Sequence, residues 1–89
     1  MTFDDLQFRE RPINHFGVQA KVFFPNGYGA SIIKGPGTYG GRDGLYELAV
    51  LKGTEGACGL CYDTLITSDV EGWLNEDAVT ALLLQIEAL

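Results

Sequence analysis

The dipeptide Asn26-Gly27 sits between two runs, residues 17–24 and 28–34, in which apolar side chains alternate with polar or small ones. Asparagine and glycine are the residues that best accept positive φ, so this pair between alternating runs is a strong hairpin signal. It commits the middle of the chain to antiparallel sheet. Val18, Ala20, Val22 and Phe24 fall on one face of the first strand, with Gln19 and Lys21 on the other. Tyr28, Ala30 and Ile32 share a face of the second strand, opposite Ser31 and Ile33. Residues 45–52 (LYELAVLK) predict a third strand, whose weak alternation fits a central position buried on much of both faces. A turn at 53–56 and a fourth strand at 57–64 follow.

The C-terminal residues carry a different period. Asn75 is a good N-cap, and Glu76 and Asp77 occupy the first turn, where the helix dipole favours negative charge. Leu74 and Val79 hold the two staple positions around the cap. Val79, Leu82, Leu83 and Ile86 recur at i, i+3, i+4 and i+7, and Leu89 extends that stripe. At the other end, Thr2 and Asp5 can close one short helical turn, with Phe3, Leu6 and Phe8 pinning it to the core. Residues 35–44 hold five glycines, a density that predicts a mobile connection with no regular element. Ser68 and Glu71 have capping-box spacing, which predicts one helical turn over 69–73, weakened by Gly72. The expected fold is a single α+β domain over residues 1–89. An irregular leader (1–16) precedes a four-stranded antiparallel meander (17–67), and an amphipathic helix (75–89) packs on one sheet face.

Composition removes several classes. At 46% hydrophobic and 11% aromatic, the chain is too apolar for a disordered tail. Its longest uninterrupted apolar runs, 48–51 and 81–84, are far too short to span a membrane. No basic segment followed by an apolar one opens the sequence, so no signal peptide is read, and two cysteines are too few for a disulfide scaffold. A cytoplasmic location is expected.

Three motifs match chemistry in letter only. Residues 35–40 (GPGTYG) fit G-x-G-x-x-G, but a dinucleotide site needs that loop to open a helix, and here a strand follows. Cys58 and Cys61 form C-x-x-C, yet they lie in a segment of strand formers, where positions three apart point to opposite faces. Zinc wants four ligands, and this pair with the lone His15 falls short unless two copies share a site. The adjacent pairs Asp4-Asp5 and Glu76-Asp77 cannot face each other across a substrate, as paired-carboxylate catalysis requires. Hence no catalytic residue, cofactor or metal is expected, and the chain reads as non-enzymatic.

Charge is the more informative signal. The net charge is −6, from 12 acids and 6 bases, and every base lies in residues 1–52. Residues 53–89 hold seven acids and neither Lys nor Arg. Such a half repels phosphate and attracts a basic protein surface. Within it, residues 69–77 place four acids around the only tryptophan. A Trp anchor among carboxylates is the pattern of a docking site for a basic partner. The candidate partner-binding residues are Asp63, Asp69, Glu71, Trp73, Glu76 and Asp77. The plainer alternative makes Trp73 a core plug and the acids ordinary solvated helix charges.

The segments FFPNGYGAS, GLYELAVLKG and LCYDT, between residues 23 and 64, resemble small uncharacterised proteins of tailed bacteriophages and prophages. The resemblance implies an accessory protein acting by stoichiometric binding inside a bacterial host. It is the manner of anti-CRISPR proteins and other host-enzyme inhibitors, and it supplies no functional residues. The expected function is therefore an acidic interaction protein that docks on a basic surface, such as that of a nucleic-acid-binding enzyme. Direct nucleic-acid or membrane binding is not expected, and a homodimer is left open. Two alternatives stand beside it: a small redox or metal module using Cys58 and Cys61, and a self-associating structural protein.

Overall fold

A computed structural model describes residues 1–10, 17–54, 57–60 and 71–89 of the chain. The elements in order are β1 (Arg9–Glu10), β2 (Val18–Phe23), β3 (Tyr28–Lys34), β4 (Tyr46–Thr54), β5 (Ala57–Leu60), β6 (Glu71–Leu74) and α1 (Glu76–Glu87). Short 3-10 turns occupy Phe3–Asp5 and Gly41–Asp43. The chain is α+β: an antiparallel sheet with the C-terminal helix packed against it.

The sheet is wider than the four strands expected. Five strands follow the path β1-β2-β3-β4-β5, and β6 adds to β4. The nine residues of β4 are long enough to serve two partners on one edge. Its C-terminal half pairs with β5 (Leu51 with Leu60, Thr54 with Ala57), and its N-terminal half pairs with β6 (Tyr46 with Leu74, Leu48 with Glu71). The predicted helical turn over 69–73 is thus corrected: from Glu71 onward the backbone is strand. A capping-box spacing is a local preference, and pairing with β4 outweighs it. The leader is also less irregular than expected, because Arg9 and Glu10 pair with Gln19 and Val18.

The hairpin forms where Asn26-Gly27 places it, by a different turn. Gly27 has φ +86°, while Asn26 is not in the left-handed region. The Phe24 amide bonds to the Tyr28 carbonyl at 2.8 Å, and the Gly27 amide to the Phe24 carbonyl at 3.2 Å. This is a three-residue loop ending in a left-handed glycine. Asn26 keeps its side chain for other work. Its Oδ1 accepts from the Tyr28 amide (3.0 Å), and its Nδ2 donates to the carbonyls of Ile86 (2.9 Å), Glu87 (3.3 Å) and Leu89 (3.3 Å). The hairpin tip therefore caps the C-terminal end of α1, where helix carbonyls have no partner within the helix.

The register aligns apolar rows beneath the helix. Ala20, Ile32 and Leu48 lie side by side, as do Val22, Ala30 and Val50. Val79, Leu83 and Ile86 of α1 are fully buried against them, and Leu74 and Leu82 pack on the margin. Burial of each of these three helix side chains stabilises by about 1.5–3 kcal/mol. At the helix start the Asn75 Oδ1 accepts from the Ala78 amide at 2.8 Å, as its N-cap position predicts. Leu89, expected to extend the stripe, is 41% exposed, because the helix ends at Glu87.

The leader straps onto the helix and one end of the core. The Met1 ammonium pairs with the Glu87 carboxylate at 2.8 Å, and the Phe3 amide donates to the Thr80 hydroxyl at 2.9 Å. Asp5 reaches back to accept from the Thr2 amide at 2.9 Å, closing the predicted turn. Phe3, Phe8 and Tyr46 form an aromatic trio with centroids 5.0–5.6 Å apart, and Lys34 Nζ lies 4.8 Å from the Tyr46 ring centroid.

Candidate functional site

Residues 35–44, where the glycine density predicts a connection with no regular element, hold the 3-10 turn Gly41–Asp43 and bond to β6. Thr38 ties the start of this loop: the Thr38 hydroxyl donates to the Gly35 carbonyl (2.8 Å) and accepts from the Gly35 amide (3.1 Å). Gly40 and Gly44, both with positive φ, flank the 3-10 turn Gly41–Asp43. Tyr39 joins the loop to the sheet. Its amide donates to Glu47 Oε1 at 3.3 Å, and its carbonyl accepts from the Trp73 amide at 3.2 Å. Glycine density here permits close approach rather than disorder.

That docking shapes Trp73. Between its two registered pairs, β6 spends three residue steps where β4 spends two, so one extra residue is accommodated as a bulge. Trp73 takes φ +54°, the only non-glycine positive φ among the described residues. A left-handed backbone costs an L-residue roughly 1–2 kcal/mol. Gly40 and Gly72 allow the arrangement. A Cβ on Gly40 would lie 2.8 Å from Trp73 Cα, and one on Gly72 would lie 2.5 Å from Tyr39 Cβ.

The indole does not enter the core. Trp73 is 61% exposed and Tyr39 56%, and their ring centroids are 5.4 Å apart at an interplanar angle of 35°. The alternative that makes Trp73 a core plug is therefore overturned. The bulge turns the side chain outward, and the loop supplies a tyrosine to lean on. Thr38, Tyr39, Arg42, Asp43 and Trp73 line a shallow cleft of about 300 Å³ beside this pair.

The other predicted site residues divide into two groups. Glu71, Trp73, Glu76 and Asp77 fall in one continuous seven-residue stretch that runs from β6 through the Asn75 cap into α1, and all four are exposed. Neither Glu71, Glu76 nor Asp77 forms an ion pair among the described residues; the one salt bridge there joins Met1 and Glu87. Asp63 and Asp69 lie outside the described residues, as do Cys61 and His15. Cys58 is on β5 opposite Gly53. Among the described residues, no three His, Cys, Asp or Glu side chains cluster as metal ligands would, and no helix is long and apolar enough to cross a membrane.

Sequence reasoning missed Tyr39, Arg42 and Asp43. They lie some thirty residues from Trp73 in the chain, in a segment whose glycines read as slack. The available signal was a tyrosine inside a glycine-rich loop, an expensive residue to leave in a mere linker. A second cleft, about 530 Å³, runs between the leader and β2. Among the described residues its charged lining is balanced, with Asp5 and Glu10 against Arg9 and Lys21. No family model, curated protein or solved structure matches this chain.

Proposed function

We propose that the protein is a non-enzymatic interaction module that docks on a basic protein surface, with Trp73 as its anchor. The observation that carries this reading is the exposed Trp73–Tyr39 pair, held outward by a left-handed backbone in a stretch whose carboxylates form no ion pair among the described residues. Trp and Tyr supply much of the energy of protein interfaces, and both are costly to leave in water. Glu71, Glu76 and Asp77 set the sign of the partner, and attraction between unlike surfaces speeds its encounter. The resemblance to phage accessory proteins extends the proposal to inhibition of a host nucleic-acid-binding enzyme.

The test is capture of binding proteins from a bacterial lysate at low and high salt. It is run in parallel with wild-type chain and the double variant Trp73→Ala, Glu71→Lys. Basic proteins are expected on the wild type at low salt, with loss at high salt because exposed charges are screened. Capture that ignores salt, or that the double variant retains in full, overturns the proposal.

A further inference from the structure

We infer that the Tyr39–Trp73 shelf is a subsite for one arginine side chain of the partner; this rests on the docking reading above. The flat exposed surface calls for a flat occupant. At 5.4 Å the two rings already touch each other. A guanidinium inserted between them would need two stacking contacts of roughly 3.5 Å each, so it does not fit there. The occupant lies instead over the solvent side of the indole, the best of the aromatic rings for attracting a cation.

Charge around the shelf selects the cation. Asp43 lines the same cleft, Glu47 bonds to the Tyr39 amide, and Glu71 precedes Trp73 by two residues. Among the described residues that line the cleft or bond to its edge, two carboxylates, Asp43 and Glu47, stand against one cation, Arg42. The molecule already places ammonium groups over its own rings, Lys34 at 4.8 Å from Tyr46 and Lys52 at 5.8 Å from Tyr28. The shelf has the same chemistry with its outer face open. Arginine fits better than lysine, since a guanidinium is planar and weakly hydrated. It can also stack while its edge N–H groups donate to a carboxylate. Arg42 competes for those carboxylates and so weakens the site.

Trp73 is the only tryptophan, so emission excited at the red edge of the aromatic band, where the four tyrosines do not absorb, reports this shelf. The full chain is titrated at low ionic strength with three peptides of three cationic or neutral residues spaced by glycine: arginine, lysine and glutamine versions. Amide chemical shifts of the whole chain are followed in parallel. The arginine peptide is expected to change Trp73 emission at a several-fold lower concentration than the lysine peptide, with no response to glutamine. Asp43→Asn is expected to weaken the response several-fold and Arg42→Ala to strengthen it. An equal response to arginine and lysine overturns the inference. So does binding of both peptides that shifts amides elsewhere and leaves Trp73 emission unchanged, although docking on basic partners then stands. Absence of binding by either cationic peptide removes the docking reading itself.

Discussion

Replacing Asn26 by alanine tests whether one side chain at the hairpin tip holds the end of α1. Asn26 Nδ2 faces the helix carbonyls of Ile86 and Glu87 and that of Leu89 just beyond, of which the Ile86 bond, at 2.9 Å, is partly buried; Oδ1 satisfies the partly buried Tyr28 amide at 3.0 Å. The exposed carbonyls of Glu87 and Leu89 recover water on truncation and cost little. The partly buried Tyr28 amide loses its partner, at about 1 kcal/mol, while the Ile86 carbonyl keeps the Leu89 amide at 3.1 Å. The expected destabilisation is thus about 1 kcal/mol. For a domain of this size each kcal/mol shifts Tm by roughly 4–8 °C. Asn26→Asp separates the two roles. It keeps the acceptor for Tyr28 but sets a negative charge against helix carbonyls and the negative end of the dipole. That carboxylate would have its pKa raised in the folded state, so its penalty is present at neutral pH and fades as pH falls through the raised value. Urea unfolding followed by far-UV circular dichroism, with both variants compared with wild type at neutral and acidic pH, reads all of this. A change under about 0.5 kcal/mol for Asn26→Ala, or an Asn26→Asp penalty indifferent to pH, would refute the reasoning.

Two further substitutions test the core and the site separately. Leu83→Ala, at a fully buried helix position, should cost about 2–5 kcal/mol, whereas Leu84→Ala, at a residue 51% exposed, should stay within about 0.5 kcal/mol, both by urea denaturation. Gly72→Ala places a methyl 2.5 Å from Tyr39 Cβ and should separate the two rings. Trp73 emission and its response to the arginine peptide should change while the far-UV spectrum is retained, and an unaltered response would mean that the pair tolerates the added carbon.

Much of the sheet and the helix is written in short-range pattern. The hairpin, the three strands around it and the helix from its Asn75 cap follow from side chains that alternate by two or recur by three and four. A strand or helix side must bury its apolar face, and that demand is local. What the pattern could not carry was the use of backbone edges. The strand at Glu71–Leu74 exists because β4 extends beyond β5 and offers its free N-terminal half. No residue in 71–74 announces that offer. Part of the site was legible: the tryptophan among acids was visible, but not its direction or its neighbour.

Composition and periodicity by themselves determined an α+β chain with an acidic, base-free C-terminal part and one tryptophan within it. Tertiary structure alone decided three things. Asn26 caps a helix sixty residues away, the glycine loop lies against β6, and Trp73 faces water on Tyr39 instead of filling the core. The physical reason is shared. Each depends on a close approach between segments distant in the chain, and intrinsic propensities act only on neighbours.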